Sequence, residues 1–353
     1  MVFIEENKTI MGDLHEIAAA PLPWEQLRNK TLLITGAGGF LAAYLVKAIL
    51  TVADLHGIKM DVIGVIRQPE SLKKRLANCQ GCHNFSFIQQ DMSQPLQSDF
   101  PRADYIIHAA SQASPKYYGI DPVGTLLPNT LGTARLLEHG RHNGVERFLF
   151  FSSGSIYGQQ PEPKALITET DYGVLDPIDV RSCYGESKRM GETMCVSWAH
   201  QYDIHTSIVR PFHTYGPGVA LDDGRVFADF VADAVAGRDI SIRSDGSARR
   251  AFCYLSDATL GFLTILLKGE KAEAYNIGNP NAETSIKELA ETITYIQPER
   301  NISIKHSAPP EGNAYLRSPI LQSCPAIDKA LRLGWAPQID IKEGFQRTIM
   351  SFL

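Results

Sequence analysis

Tyr184 and Lys188 lie four residues apart in YGESK, a spacing that puts a phenol and an ammonium on one face of a helix. A neighbouring cation lowers a tyrosine pKa toward the range useful for proton transfer. The same spacing also occurs in ordinary exposed helix pairs, so its context decides its meaning. Upstream, Ser152-Ser153-Gly154-Ser155-Ile156-Tyr157-Gly158 closes an apolar, strand-like run. A hydroxyl at the end of such a strand can share a substrate proton with the tyrosine. A third motif, Thr35-Gly36-Ala37-Gly38-Gly39-Phe40-Leu41-Ala42, sits between another apolar run and a helical stretch. Glycines there permit a tight turn and let backbone N–H groups approach a pyrophosphate, while the helix start at Phe40 and Leu41 adds partial positive charge. A plain strand–helix turn also takes glycine. The strand–turn–helix setting is what makes Gly36, Gly38 and Gly39 read as a dinucleotide cradle. Ala42 replaces a third glycine, which the helix–strand packing role tolerates.

The elements that must position these groups follow from periodicity. Strands are predicted at 30–35, 61–66, 84–89, 104–108, 147–152 and 204–210, and helices at 40–53, 130–142 and 185–202. Strands alternating with helices imply βαβ units, hence an α/β fold with a doubly wound parallel sheet. After Pro211 the chain turns rich in Gly, Pro and Asp, which reads as loop. Residues 1–29 read as an N-terminal extension with a short apolar helix, Leu14 to Ala20, ended by Pro21 and Pro23. The expected division is therefore the extension, a dinucleotide-binding domain at 30–210, and a smaller, discontinuous substrate-binding region at 211–353 that returns in part to the sheet.

Composition bounds the partners. The 353 residues include 34 Lys plus Arg against 39 Asp plus Glu, a net charge of −5, and 44% are hydrophobic. There is no basic surplus for nucleic acid or an anionic membrane. Apolar runs such as Phe262 to Leu267 are far shorter than the roughly 20 residues of a membrane span. Glu5, Glu6, Asp13 and Glu16 do not suit a secretory signal, and six irregularly spaced cysteines read as reduced thiols, so a cytoplasmic protein is expected. Cys79-Gln80-Gly81-Cys82-His83 matches a haem-attachment pattern, but nothing else in the chain supports haem. A zinc site would need a further ligand pair, so no metal is expected.

An acidic residue ending the second strand would hold the ribose hydroxyls of NAD, yet Arg67 stands there, with Lys73, Lys74 and Arg75 nearby. Arg67 either binds the 2′-phosphate of NADP or opens a solvated basic helix. Asp91 and Met92, after the third strand, are placed to meet an adenine.

Taken in order, TGAGGFLA, HAAS (108–111), NTLGT (129–133), SSGSIYG, YGESK and GWAP (334–337) resemble the extended short-chain dehydrogenases/reductases of the NAD-dependent epimerase/dehydratase family, which act on nucleotide sugars. Within it the chain is most similar to UDP-glucuronate decarboxylases, through residues 113–125, 184–195, 213–226 and 245–257. The resemblance implies Ser153, Tyr184 and Lys188 as the catalytic trio. It implies further cofactor contacts at Ala109, Ala110, Ser111, Asn129 and Pro211. Contacts to the nucleotide sugar are implied at Ser155, His213, Arg225, Val226 and Arg250, arginine forks being suited to a diphosphate. It also implies a homodimer through a four-helix bundle.

Two departures matter. The decarboxylases and 4,6-dehydratases carry a glutamate or an Asp–Glu pair where this chain has Gly154-Ser155, which disfavours dehydration and, less strongly, decarboxylation. His213 stands where asparagine is usual. The expected outcome is transient C4 oxidation of a UDP- or dTDP-sugar followed by epimerisation. The alternatives are decarboxylation of UDP-glucuronate, NADPH-dependent 4-keto reduction, and a catalytically silent dinucleotide-binding protein.

Overall fold

Seven parallel strands form the central sheet of the computed structural model, in the order β3-β2-β1-β4-β5-β6-β7. They are β1 (Thr31–Thr35), β2 (Asp61–Ile66), β3 (Phe85–Gln89), β4 (Tyr105–His108), β5 (Arg147–Phe151), β6 (Thr206–Pro211) and β7 (Glu273–Ile277). The structure describes residues 7–70, 75–160, 165–307 and 322–353. Glu5, Glu6, Lys73 and Lys74 lie outside them.

Alternation along each strand shows why the sheet is wound on both faces. Leu32 and Ile34 of β1, with Leu149 and Phe151 of β5, join one core under α2 (Phe40–His56) and α6 (Leu255–Lys268). Leu33, Phe148 and Phe150 face the opposite way, toward α3 (Thr133–Asn143) and α4 (Ser182–Tyr202). The strand order reverses between β1 and β4, and ligands of open α/β sheets bind in the crevice beyond such a switch point.

The six predicted strands are present within two residues of their expected ends. β7 was not among them: after the polar turn 269–272, EAYNI is short and only half apolar, yet it pairs in parallel with β6 over its length. The helix expected from 130 starts earlier, as an α-helical stretch at Pro122–Leu127 that runs through a π turn at Pro128–Gly132, where Pro128 cannot donate to the preceding turn. The helix expected from 185 starts at Ser182, which moves Tyr184 into its first turn.

A second apolar core lies between α5 (Val226–Val235), α7 (Ile286–Ile296) and α8 (Ile341–Met350), with Phe227, Phe252, Tyr254 and Phe345 at its centre. The N-terminal helix α1 (Lys8–Ala19) starts well before Leu14. It does not stand off as an extension: Leu14, Ile17 and Ala18 are buried against α2 and α6.

Candidate active site

The glycine turn is built as a cradle. Gly36 has φ +69°, and a Cβ there would come within 2.7 Å of the Ala110 Cα and 3.0 Å of the Ala109 oxygen. Glycine alone therefore lets β1 and β4 bring their ends together. Gly39 is the N-cap of α2, and no side chain caps that helix, so its first N–H groups face the crevice uncapped. The Gly38 carbonyl accepts from Arg75 Nη1 at 3.2 Å, and Arg75 Nε also donates to the Gly218 carbonyl at 3.2 Å. Arg75 thus ties the cradle to the loop that precedes Arg225.

Behind the turn runs a neutral hydrogen-bond chain. The Ala110 N–H donates to Thr35 Oγ1, which lies 2.7 Å from His108 Nδ1, and His108 Nε2 lies 3.0 Å from the Pro128 carbonyl. Because Pro128 can only accept, Nε2 carries the proton and Thr35 donates to Nδ1. Burial first, and the Lys188 charge second, push the His108 pKa down to about 3, so it is neutral. Arg67 and Asp91 line one open cleft of about 670 Å³ beyond β2 and β3, together with Gln68, Gln89, Gln90, Gln94, Pro95 and Gln97. Met92 is buried in the core on the α3 side of the sheet.

Tyr184 and Lys188 are brought together on the inward face of α4, both buried. The helix can lie that close because a Cβ at Gly191 would meet the Phe150 ring at 2.3 Å. Ser153 lies near enough to the Tyr184 hydroxyl to favour its ionised form, and the Ser155 N–H donates to Ser153 Oγ at 3.1 Å. Tyr118 stacks on the Tyr184 ring with centroids 5.3 Å apart. One expectation needs correction. The tyrosine pKa is raised, not lowered: burial dominates, against smaller opposing effects of Ser153 and Arg225. The Lys188 ammonium instead donates to the Phe151 carbonyl at 2.5 Å, and burial lowers its own pKa to about 7.

Three buried polar atoms around this crevice have no protein partner: Ser111 Oγ, Asn129 Oδ1 and Ser152 Oγ. Asn129 uses its Nδ2 on the Thr125 carbonyl and Ser187 Oγ. Orphaned buried acceptors and hydroxyls cost free energy unless a ligand satisfies them. With the Gly36 cradle and the uncapped helix start, they fit a dinucleotide.

On the opposite wall Arg225 is held by the Asp223 carboxylate through two hydrogen bonds, and Val226 opens α5 beside it. Arg250 Nη1 donates to the Arg249 carbonyl at 2.7 Å. His213, half-buried against Phe252, is neutral: burial, then Arg250 and Arg225, push its pKa down to about 3. The charges of Arg250 and Arg225 both act on His213, which sets these residues near one another. Pro211 ends β6 beside Ile277 of β7.

Sequence reasoning missed the network that supports the trio. Arg210 is bidentate to Glu192, at 2.9 and 2.6 Å, and its Nη1 donates to the Tyr157 hydroxyl at 2.8 Å. Tyr157 donates to Asn276 Oδ1 at 2.6 Å, and the Asn276 N–H donates to Glu169 at 2.9 Å. Glu192 lies one turn beyond Lys188 and Tyr157 four residues beyond Ser153, so Arg210 fixes the helix and the serine segment relative to each other. The only local signal was charge at positions inside apolar elements.

The cysteines take no part in this chemistry. All six are free of disulfides, and among the described residues no cluster of His, Cys, Asp and Glu could hold a metal ion. Among them, too, no helix is long and apolar enough to cross a membrane.

Residues 32–278 match the NAD dependent epimerase/dehydratase family. UDP-glucuronic acid decarboxylase 6 of Arabidopsis thaliana is 35% identical over 319 residues, covering 90% of this chain and 87% of that protein. UDP-glucuronic acid decarboxylase 1 of Danio rerio is 32% identical, covering 92% and 73%. The UDP-glucose 4-epimerase of Thermotoga maritima superposes with a TM-score of 0.76 at 24% identity, over 91% of this chain and 98% of that one. The UDP-glucuronic acid 4-epimerase of Bacillus cereus, solved with UDP-glucuronic acid and NAD, gives 0.75 at 24%, with the same coverage. These two likenesses concern the fold.

Proposed function

The chain belongs to the NAD dependent epimerase/dehydratase family, and on that premise we propose that it oxidises a UDP-sugar transiently at C4, with UDP-glucuronate as the substrate and its C4 epimer as the product. The observation that carries this reading is the buried pairing of Tyr184 with Lys188, whose Nζ lies 5.8 Å from the Tyr184 ring centroid, with Ser153 beside the phenol, at the switch-point crevice that the Gly36 cradle opens. Gly36, Gly38, Gly39, Ala109, Ala110, Ser111 and Asn129 would hold the dinucleotide, with Arg67, Asp91 and Met92 at its adenosine end. The group they hold supplies a hydride acceptor and, when oxidised, a positive ring near the phenol.

Tyr184 takes the proton of the C4 hydroxyl, and Ser153 bridges the same oxygen. Burial holds the phenol protonated against the smaller opposing effects of Ser153 and Arg225, so the reaction relies on added positive charge near the phenol to make it a base near neutral pH. Arg225 and Arg250 bind the diphosphate as charge-assisted partners. Return of hydride to the other face of the C4 ketone gives epimerisation. No carboxylate stands in the serine segment, and the buried Glu169 and Glu192 behind it are engaged by Asn276 and Arg210. Among the described residues that arrangement offers no spare acid at the serine segment, which supports epimerisation.

Decarboxylation is the second reading, favoured by the similarity to the UDP-glucuronic acid decarboxylases of Arabidopsis thaliana and Danio rerio. A β-keto acid can lose carbon dioxide with little further help. Incubating the purified protein with UDP-glucuronate and analysing the product by mass spectrometry and NMR separates the readings. An isomer of unchanged mass supports epimerisation, loss of carbon dioxide supports the second reading, and untouched substrate contradicts both.

Val123 and Leu131, in the helical turns that precede α3, and Met190 and Val196 on α4 are exposed apolar side chains, which supports a homodimer through a four-helix bundle. A monomeric mass by light scattering at micromolar concentration would contradict it. The free thiols support a reducing compartment, the cytoplasm.

A further inference from the structure

Asp13, on the N-terminal helix α1, is fully buried, with 0% of its surface exposed. Its Oδ2 accepts from the hydroxyls of Tyr44 at 2.8 Å and Tyr254 at 2.7 Å, and its Oδ1 accepts from Arg347 Nη1 at 2.6 Å. The three donors come from three separate elements. Tyr44 lies one turn into α2, the helix whose N-cap is Gly39 of the cradle. Arg347 lies on α8. Tyr254 ends the short strand Cys253–Tyr254, which pairs in parallel with Thr214–Tyr215, and the Cys253 N–H donates to the His213 carbonyl at 3.3 Å.

One carboxylate therefore joins the two cores. α1 and Tyr44 pack in the core beneath the sheet, whereas Tyr254 and Phe345 belong to the core that carries Arg225, His213 and Arg250. Apolar contacts at such a seam would tolerate sliding. A buried carboxylate does not, because shifting any donor by an ångström leaves an unpaired charge away from water. Asp13 and Arg347 both lie outside residues 32–278, so this lock is added to the part of the chain that matches the family.

We propose that Asp13 is a positioning residue: its carboxylate locks the diphosphate-binding wall to the cofactor-binding helix and so sets the affinity for the nucleotide sugar. The inference rests on the substrate reading given above. It assigns the N-terminal helix a task in substrate binding.

The test compares Asp13→Asn, which removes the charge, with Leu14→Ala, which loosens the same helix through an apolar contact. In Asp13→Asn the KM for UDP-glucuronate rises about tenfold, the effect of losing one charge-assisted hydrogen bond. Its kcat and bound dinucleotide are unchanged, and amide exchange accelerates at Thr214–Tyr215 and Cys253–Tyr254. Leu14→Ala lowers the melting temperature without moving KM or exchange at those strands. Tyr254→Phe, which removes one donor, shifts KM in the same direction by a smaller factor and serves if Asp13→Asn does not fold. If Asp13→Asn lowers the melting temperature while KM and exchange stay at wild-type values, the proposal is overturned. Should the wild type turn over no nucleotide sugar, the substrate reading fails, and UDP titration with the exchange data decides on the lock alone.

Discussion

The two walls of the crevice are built by different means. The wall proposed for the cofactor is made of backbone and neutral groups around its glycine turn: the Gly36 turn itself, the uncapped start of α2, and the Thr35–His108–Pro128 chain, in which burial removes the imidazole charge. The substrate wall is made of charged side chains that already have partners, Arg225 on Asp223 and Arg250 on a neighbouring carbonyl. Backbone dipoles fixed by a sheet need no rearrangement to receive a pyrophosphate, whereas a diphosphate reaching Arg225 must compete with a carboxylate. The comparison teaches that the first wall is preorganised and the second exchanges partners, so mutations on the two sides should separate cofactor retention from substrate affinity.

The largest effect should fall where the walls meet. Tyr184→Phe should lower kcat about a thousandfold while leaving cofactor bound, the usual weight of a positioned general base; turnover and dinucleotide content measured together would check this. Arg210→Met strands the Glu192 carboxylate in the interior, and breaking a buried pair of this kind costs about 3–5 kcal/mol. Denaturant unfolding should report that loss, and kcat should fall because Ser153 and Lys188 are no longer held in register.

Gly36→Ala breaks the cofactor wall alone. Its Cβ meets the Ala110 backbone and its φ is positive, a strain of about 1–3 kcal/mol. The purified variant should lose its dinucleotide, while UDP binding measured calorimetrically stays near wild type.

A smaller effect concerns pH. His108 has its pKa lowered to about 3 in the folded chain from 6.5, so the unfolded chain binds the extra proton between those values. Its contribution is complete above about pH 6.5 and is lost as pH falls, by about 2 kcal/mol near pH 5. Asp257, raised to about 6 by burial, acts in the opposite sense between its unfolded 3.8 and 6. Comparing wild type with His108→Gln therefore isolates the histidine: the variant's melting temperature should fall less steeply with acidification.

The smallest effect belongs to the substrate wall. Asp223→Asn weakens the competitor for Arg225, a pair only partly shielded from water. KM for the nucleotide sugar should fall severalfold with kcat unchanged, read from initial rates.

Legibility in the sequence followed the same division. The strands that carry the cradle and the serine segment announce themselves, because buried parallel strands are continuous apolar runs and the glycine turn has a local signature. Tyr184, Lys188 and Ser153 were legible for that reason. β7 was not, since EAYNI has too little apolar character to declare itself without its neighbour β6. Asp13, Glu192 and Arg210 were not legible at all. Their partners are distant along the chain, 334 positions away for the Asp13–Arg347 contact, and a buried charge looks like any surface charge until its partner is known. The same blindness explains the error over Tyr184: helical spacing places Lys188 beside it, but burial and the Phe151 carbonyl decide where the ammonium goes.

The central claim, that hydride leaves C4 and returns there under the control of Tyr184, is tested most directly with UDP-glucuronate deuterated at C4. A primary isotope effect on turnover is expected, with a C4 epimer that retains the deuterium at C4. Turnover without an isotope effect, or a product that has lost the label to solvent, would contradict it.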